Sequence, residues 1–236
     1  LTSTTTRKGR MSKRKTNYKN SDKKELSGLV PKTNRQKTYI DAIKFYEQII
    51  VLGPAGTGKT YIAATMAADM YSMKQIDKII ITRPNVASGR PLGFRPGDMQ
   101  EKMEEWLLPV LGTLRNHLGH NTVETAIRNG NIEFAPLETM RGRSFENAFI
   151  LLDEAQNVSP DEMKMFTTRV GEGCKTVING DIQQSDLPLT SGLSIALELA
   201  ERYDLNIPVI EFGIDDIVRS DLCKQWIIAW MGKDNG

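Results

Sequence analysis

Cysteine is scarce in this 236-residue chain. Its two cysteines, Cys174 and Cys223, fall in neither a CxxC pair nor a Cys/His cluster, which excludes a disulfide framework and a structural zinc site. Long hydrophobic runs are missing as well. The longest unbroken apolar stretch is the six residues 226–231, whereas a membrane-crossing helix needs about 20. The N-terminus is polar and basic where a secretory signal would be apolar. A cytoplasmic chain with no membrane contact is therefore expected. There is no internal repeat, and a composition of 39% hydrophobic and 25% charged residues fits neither a disordered nor a fibrous chain. The length allows one globular domain with an appendage.

The charge is unevenly spread. Residues 1–24 hold nine Lys/Arg against Asp22 alone, a local charge of +8, so the net +2 leaves −6 for the other 212 residues. Residues 1–30 also lack apolar periodicity and read as a basic flexible tail, with residues 31–236 forming the domain. Flexible cations such as Lys13, Arg14 and Lys15 suit non-specific binding to a nucleic-acid backbone, because they release its condensed counterions. A solvated tail without a partner is the plainer alternative.

From Thr33 the pattern turns helical, with a Thr33-x-x-Gln36 capping signature followed by Tyr39, Ile40, Ile43 and Tyr46 at helix spacing. Short apolar strands are then predicted at 49–52, 78–82, 132–135, 148–153, 176–179 and 208–212. Helices are predicted at 58–72, 97–117 (bent or broken by Pro109), 121–129, 159–169 and 191–202. Continuous apolar strands separated by helices indicate an α/β fold, a mainly parallel sheet with helices on both faces.

The segment Gly53-Pro54-Ala55-Gly56-Thr57-Gly58-Lys59-Thr60 is a complete G-x-x-x-x-G-K-[ST] loop between a predicted strand and a predicted helix. Its glycines let successive backbone N–H groups curl around phosphates at a helix N-terminus. Lys59 is expected on the β- and γ-phosphates, and the Thr60 hydroxyl on Mg²⁺. The strand at 148–153 ends in Asp153 and Glu154. Side chains alternate along a strand, so two adjacent acids point apart and can take different tasks. Asp153 suits the outer shell of Mg²⁺, and Glu154 suits the base that orients the attacking water. A further strand ends in Asn179-Gly180-Asp181-Ile182-Gln183-Gln184, where Gln184 is suited to sensing the γ-phosphate, although Asn-Gly-Asp alone also reads as a simple turn.

These stretches, together with Ile81–Val86, Leu92–Asp98 and Met140–Phe145, resemble the PhoH-like family of phosphate-starvation-inducible P-loop ATPases, which is also common in phages. The match covers about residues 31–226. The resemblance implies a single RecA-like domain related to superfamily 1 helicases, with ATP and Mg²⁺ as cofactors, and a location in the host cytoplasm if the gene is carried by a phage. It further implies that Gln36 reads adenine, that Arg83 lies near nucleic acid, and that Gly180, Asp181 and Gln184 form the third helicase-type motif. For Gln36, a capping role remains the alternative. Arg219 matches the family's C-terminal arginine. Three departures stand out: Ser220-Asp221 in place of His-Pro, Asn179 in place of Thr, and Arg95 in place of an apolar residue. The PIN nuclease domain that some relatives carry is not expected in a chain of this length.

The expected activity is ATP hydrolysis coupled to binding or remodelling of single-stranded RNA or DNA. A single lobe lacks the cleft between two lobes that unwinding uses, so a homo-oligomeric ring, a hexamer for example, is expected to supply it. By the same elimination Arg219 is expected to enter a neighbouring subunit's site, its alternative being a surface pair with Asp215 or Asp216. A slow nucleotide-dependent nucleic-acid-binding module is the runner-up. A small-molecule kinase would also use a P-loop, but Glu154 beside Asp153 favours water as the acceptor.

Overall fold

The computed structural model of the chain describes residues 28–84, 99–184 and 190–234. Lys13, Arg14, Lys15 and the 92–98 segment with Arg95 lie outside them. Helix α1 (Asn34–Phe45) begins where Thr33 Oγ1 accepts the Gln36 N–H, and it buries Tyr39, Ile40 and Ile43 along one stripe. The strands are β1 (Gln48–Leu52), β2 (Lys78–Arg83), β3 (Ile132–Pro136), β4 (Ala148–Leu152), β5 (Lys175–Gly180) and β6 (Val209–Glu211). Each agrees with its sequence-based range to within one residue at either end.

The strands form one all-parallel sheet in the order β3-β2-β4-β5-β1-β6. Residues of β4 alternate between two cores. Phe149 and Leu151 pack with Tyr39, Ile62 and Leu114 on one face, and Ile150 and Leu152 pack with Phe166 and Leu193 on the other. Burial on both faces is why these strands are continuously apolar rather than alternating. The first face is covered by α1, α2 (Lys59–Ser72), α3 (Met99–Leu118) and α4 (His120–Arg128), and the second by α5 (Pro160–Thr167) and α6 (Gly192–Arg202). At the start of α5, Ser159 and Glu162 form a reciprocal capping box with Pro160 in the first turn.

Helix α3 is one element through Pro109, not two. A proline removes a single backbone bond, whereas Leu107, Val110, Leu111 and Leu114 are all buried in the core, so packing outweighs the local defect. Helix α7 (Asp221–Asp234) behaves differently, exposing Leu222, Trp226 and Trp230 at four-residue spacing by 66%, 60% and 55%. No helix among the described residues is long and apolar enough to cross a membrane.

Parallel pairing has one consequence for chemistry: every strand ends on the same edge. The Gly53 N–H donates to Gly180 O and the Asp153 N–H to Thr82 O. The exits of β1, β2, β4 and β5 are thereby brought side by side, at the edge where open α/β sheets bind ligands.

Candidate nucleotide site

The P-loop turns between β1 and α2. Gly58 precedes α2 with φ +90°, and a Cβ there would lie 3.1 Å from Gln36 Nε2, so both the backbone angle and the close approach call for glycine. Gly53, at φ +131°, would place a Cβ 2.4 Å from Phe212 O. Lys59 Nζ donates to Gly53 O (2.6 Å) and Pro54 O (2.9 Å). Burial pushes the Lys59 ammonium below its ordinary range, and Asp181, Asp153 and Glu154 pull it back up. A desolvated cation at a helix N-terminus facing three acids is a site arranged for polyanionic phosphate and a metal together.

Thr60 Oγ1 donates to Asp153 Oδ1 at 3.0 Å. The Asp153 carboxyl is raised above its ordinary range, chiefly by burial and then by Glu154, with Thr60, Arg83 and Lys59 opposing. A hydroxyl and a carboxylate in contact are hard oxygen donors of the kind Mg²⁺ takes, its remaining positions being filled by water and phosphate. Among the described residues there is no cluster of three or more His, Cys, Asp or Glu that would hold a metal by itself. That donor set fits a cation arriving with a nucleotide.

Glu154 follows in a left-handed conformation, φ +55°. Both oxygens are engaged. Oε2 accepts from Gln156 Nε2 at 2.7 Å, and Oε1 lies 3.6 Å from Arg83 Nη2. A half-exposed ion pair of this kind contributes about 0.2–1 kcal/mol. Gln156 is 2% exposed, and its Oε1 accepts the Asp181 N–H at 3.0 Å. Since only Oε1 can take that proton, Nε2 must face Glu154. Sequence reasoning gave Gln156 no role, although its place two residues after Glu154 is a usable signal.

Gln36 lines the cleft and departs from its capping expectation. It is 6% exposed, Oε1 accepts the Lys32 N–H (2.8 Å), and Nε2 donates to Thr57 O (2.9 Å). A capping-box side chain would return to the Thr33 N–H instead. This one ties the start of α1 to the P-loop. Tyr39, legible in the sequence only as a core residue, also reaches the site. Its hydroxyl lies 3.4 Å from both Lys59 O and Asn179 Oδ1. Burial, then Asp153, raise the phenol well above its ordinary range. Asn179 Nδ2 is buried without a hydrogen-bond partner among the described residues.

Arg219 joins the same cleft. It lies beside its own chain's P-loop: a Cβ on Gly56 would meet Arg219 Cγ at 3.0 Å, and the Val218 N–H donates to Gly56 O. The cause is the return path after β6. Phe212 pairs with Leu52, and the turn that follows is closed by the Gly213 N–H donating to Asp216 Oδ2, which swings residues 217–219 back over the loop. This in-chain route is invisible to an elimination based on the number of lobes. Arg143, by contrast, donates through Nη1 and Nη2 to the two carboxylate oxygens of Glu133 on β3.

Arg83, Asp153, Glu154, Gln184 and Arg219 all line one cleft of about 620 Å³ with the P-loop, a volume in the range of small-molecule sites. Its far wall comes from Leu29–Lys32 and from Pro109, Val110 and Thr113 of α3, none of which sequence reasoning had placed there.

A family model described as PhoH-like protein matches residues 28–231. Protein PhoH of Escherichia coli K12 is 42% identical over 213 residues, 89% of this chain and 60% of that protein. The PhoH-like protein of Bacillus subtilis 168 is 44% identical over 201 residues, covering 84% and 63% of the two chains. The chain thus spans about three fifths of the length of these relatives. Among solved structures, the large terminase of a thermophilic bacteriophage aligns with a TM-score of 0.48 at 11% identity, over 82% of this chain and 49% of its own. The Pif1 helicase of Candida albicans aligns at 0.40 and 11%, over 78% and 40%.

Proposed function

Because this chain belongs to the PhoH-like family of P-loop NTPases, we propose that it hydrolyses ATP with Mg²⁺ and couples turnover to binding or remodelling of single-stranded RNA or DNA. The observation that carries the reading is the Thr60–Asp153 contact with Glu154 beside it, at the mouth of a loop whose Lys59 faces three acids. In this reading the backbone from Gly53 to Thr60 cradles the phosphates. Lys59 neutralises the β/γ oxygens. Thr60 and Asp153 hold the metal, which when bound supplies positive charge to those same oxygens. Glu154 orients the attacking water and takes its proton. Gln184 senses the γ-phosphate, and Arg219 stabilises transition-state charge from within the same chain.

Arg83 and the tail cations Lys13, Arg14 and Lys15 contact the nucleic-acid backbone in this reading. Assembly into a homo-oligomeric ring completes the proposal, supported by the exposed Leu222/Trp226/Trp230 stripe of α7. The runner-up, a slow nucleotide-dependent binding module, is favoured by one observation, that both Glu154 oxygens are engaged.

Phosphate release measured with and without single-stranded RNA and DNA, alongside native mass, tests the reading. Stimulated turnover supports a motor, and tight nucleotide-dependent binding with negligible turnover supports the module. Lys59→Ala is expected to abolish hydrolysis, and Glu154→Gln to retain ATP without turning it over. A wild-type rate in either variant overturns its assignment. Deleting residues 1–24 is expected to weaken nucleic-acid binding and flatten its salt dependence.

A further inference from the structure

Arg83 leaves the end of β2 beside the end of β4, where the Asp153 N–H bonds Thr82 O, so its guanidinium and the Glu154 carboxylate are neighbours by construction of the sheet. Its side chain is 32% exposed and that of Glu154 37%. Arg83 is therefore accessible from solvent and from the catalytic cleft at once. We propose that Arg83 is a positioning residue that restrains Glu154 until a nucleic-acid phosphate draws its guanidinium away. This rests on the reading of Glu154 as the water-orienting base, and it names how a nucleic acid would regulate that site.

Two observations carry it. Gln156 occupies one Glu154 oxygen with a short bond and is itself locked by the Asp181 N–H, so that side is fixed. The other oxygen faces Arg83 at 3.6 Å, a looser and more exposed contact, so that side is the one that can be released. The water that Glu154 orients is best taken by Oε1, the oxygen without a short hydrogen bond, and the Arg83 guanidinium 3.6 Å away competes with that water for the approach, so its departure opens it. Phosphate is the natural competitor, since a guanidinium pairs with phosphate oxygens as well as with carboxylate and can do so through two parallel bonds. An exposed carboxylate contact is weak enough for that exchange to proceed.

The test uses the full chain with saturating ATP and Mg²⁺, with and without single-stranded oligonucleotides of RNA and DNA. Arg83→Gln is expected to raise basal kcat by about two- to five-fold, the release of one exposed ion pair, at unchanged KM for ATP, and to lose stimulation. Arg83→Lys is expected to restore a low basal rate and part of the stimulation. Basal kcat that falls or stays constant in Arg83→Gln overturns the proposal, because it makes Arg83 an aid to Glu154 or a bystander. A raised basal rate with stimulation intact overturns it too, since the nucleic acid would then act elsewhere. A fluorescent-ADP binding measurement on each variant checks that the cleft is intact. Failure of the parent reading looks different: wild type then shows no turnover, or turnover indifferent to every oligonucleotide, whatever the variants do.

Discussion

Thr60 Oγ1 donates to Asp153 Oδ1 across 3.0 Å, joining the first turn of α2 to the end of β4 over 93 residues of sequence. The contact brings a hydroxyl to a carboxyl that burial and Glu154 hold above its ordinary range.

That raised value sets a sign. Protonation of Asp153 favours the folded, metal-free state, so its stabilising contribution is full below the ordinary value of 3.8 and is lost as pH rises through the raised one. Asp153→Asn is therefore expected to melt higher than wild type at neutral pH without Mg²⁺, by about 2–4 °C for roughly 1 kcal/mol in a chain of this size. The same variant is expected to lose the Mg²⁺ dependence of nucleotide affinity, which in wild type weakens as acid protonates Asp153. Thermal unfolding and nucleotide titrations across pH measure both, and a lower melting temperature contradicts the assignment.

Gln36 spends its amide on Lys32 N and Thr57 O, so its removal acts on the P-loop. Gln36→Ala is expected to cost about 1–3 kcal/mol of stability and to weaken ATP, GTP and tripolyphosphate by a common factor. Competition binding decides the point, because a loss confined to adenine nucleotides would return Gln36 to reading the base.

Arg219 lies on its own P-loop. Arg219→Ala is expected to lower kcat by about 10³-fold, and mixing it with Lys59→Ala subunits is expected to restore nothing, since each defective site keeps its own defect. Recovered turnover in the mixture would instead place the arginine in a neighbour's site.

The Arg143 hydrogen bond to Glu133 holds that carboxyl below its ordinary range. A depressed value stabilises the fold above the ordinary 4.5, and the benefit is lost as pH falls through the depressed one. Arg143→Ala is expected to cost about 1 kcal/mol at pH 7, a modest figure for a pair that is partly exposed. Urea unfolding of wild type and variant is expected to converge toward acid pH. A constant gap would mean that the Arg143 side chain stabilises by packing over the Phe145 ring, which lies 5.1 Å away.

Local chemistry made much of this protein legible. The apolar runs of β1, β2, β4 and β5 read as strands buried on both faces, and Gly53–Thr60 between strand and helix reads as a phosphate loop because its chemistry resides in its own backbone. Asp153 and Glu154 were recognisable for the same reason, as two acids closing an apolar strand.

What the sequence by itself determined was the elements and the groups that each of them ends with. The tertiary structure decided which groups meet. Gln36 turned from a cap into a brace because β1 delivers Thr57 O within reach of α1, and Pro109 came to line the cleft because α3 packs on α2. Arg219 reached its own P-loop because β6 pairs beside β1 before the chain turns back. Such contacts depend on strand order and on the path of loops, whose free energies are sums over many distant residues. No local spacing encodes them.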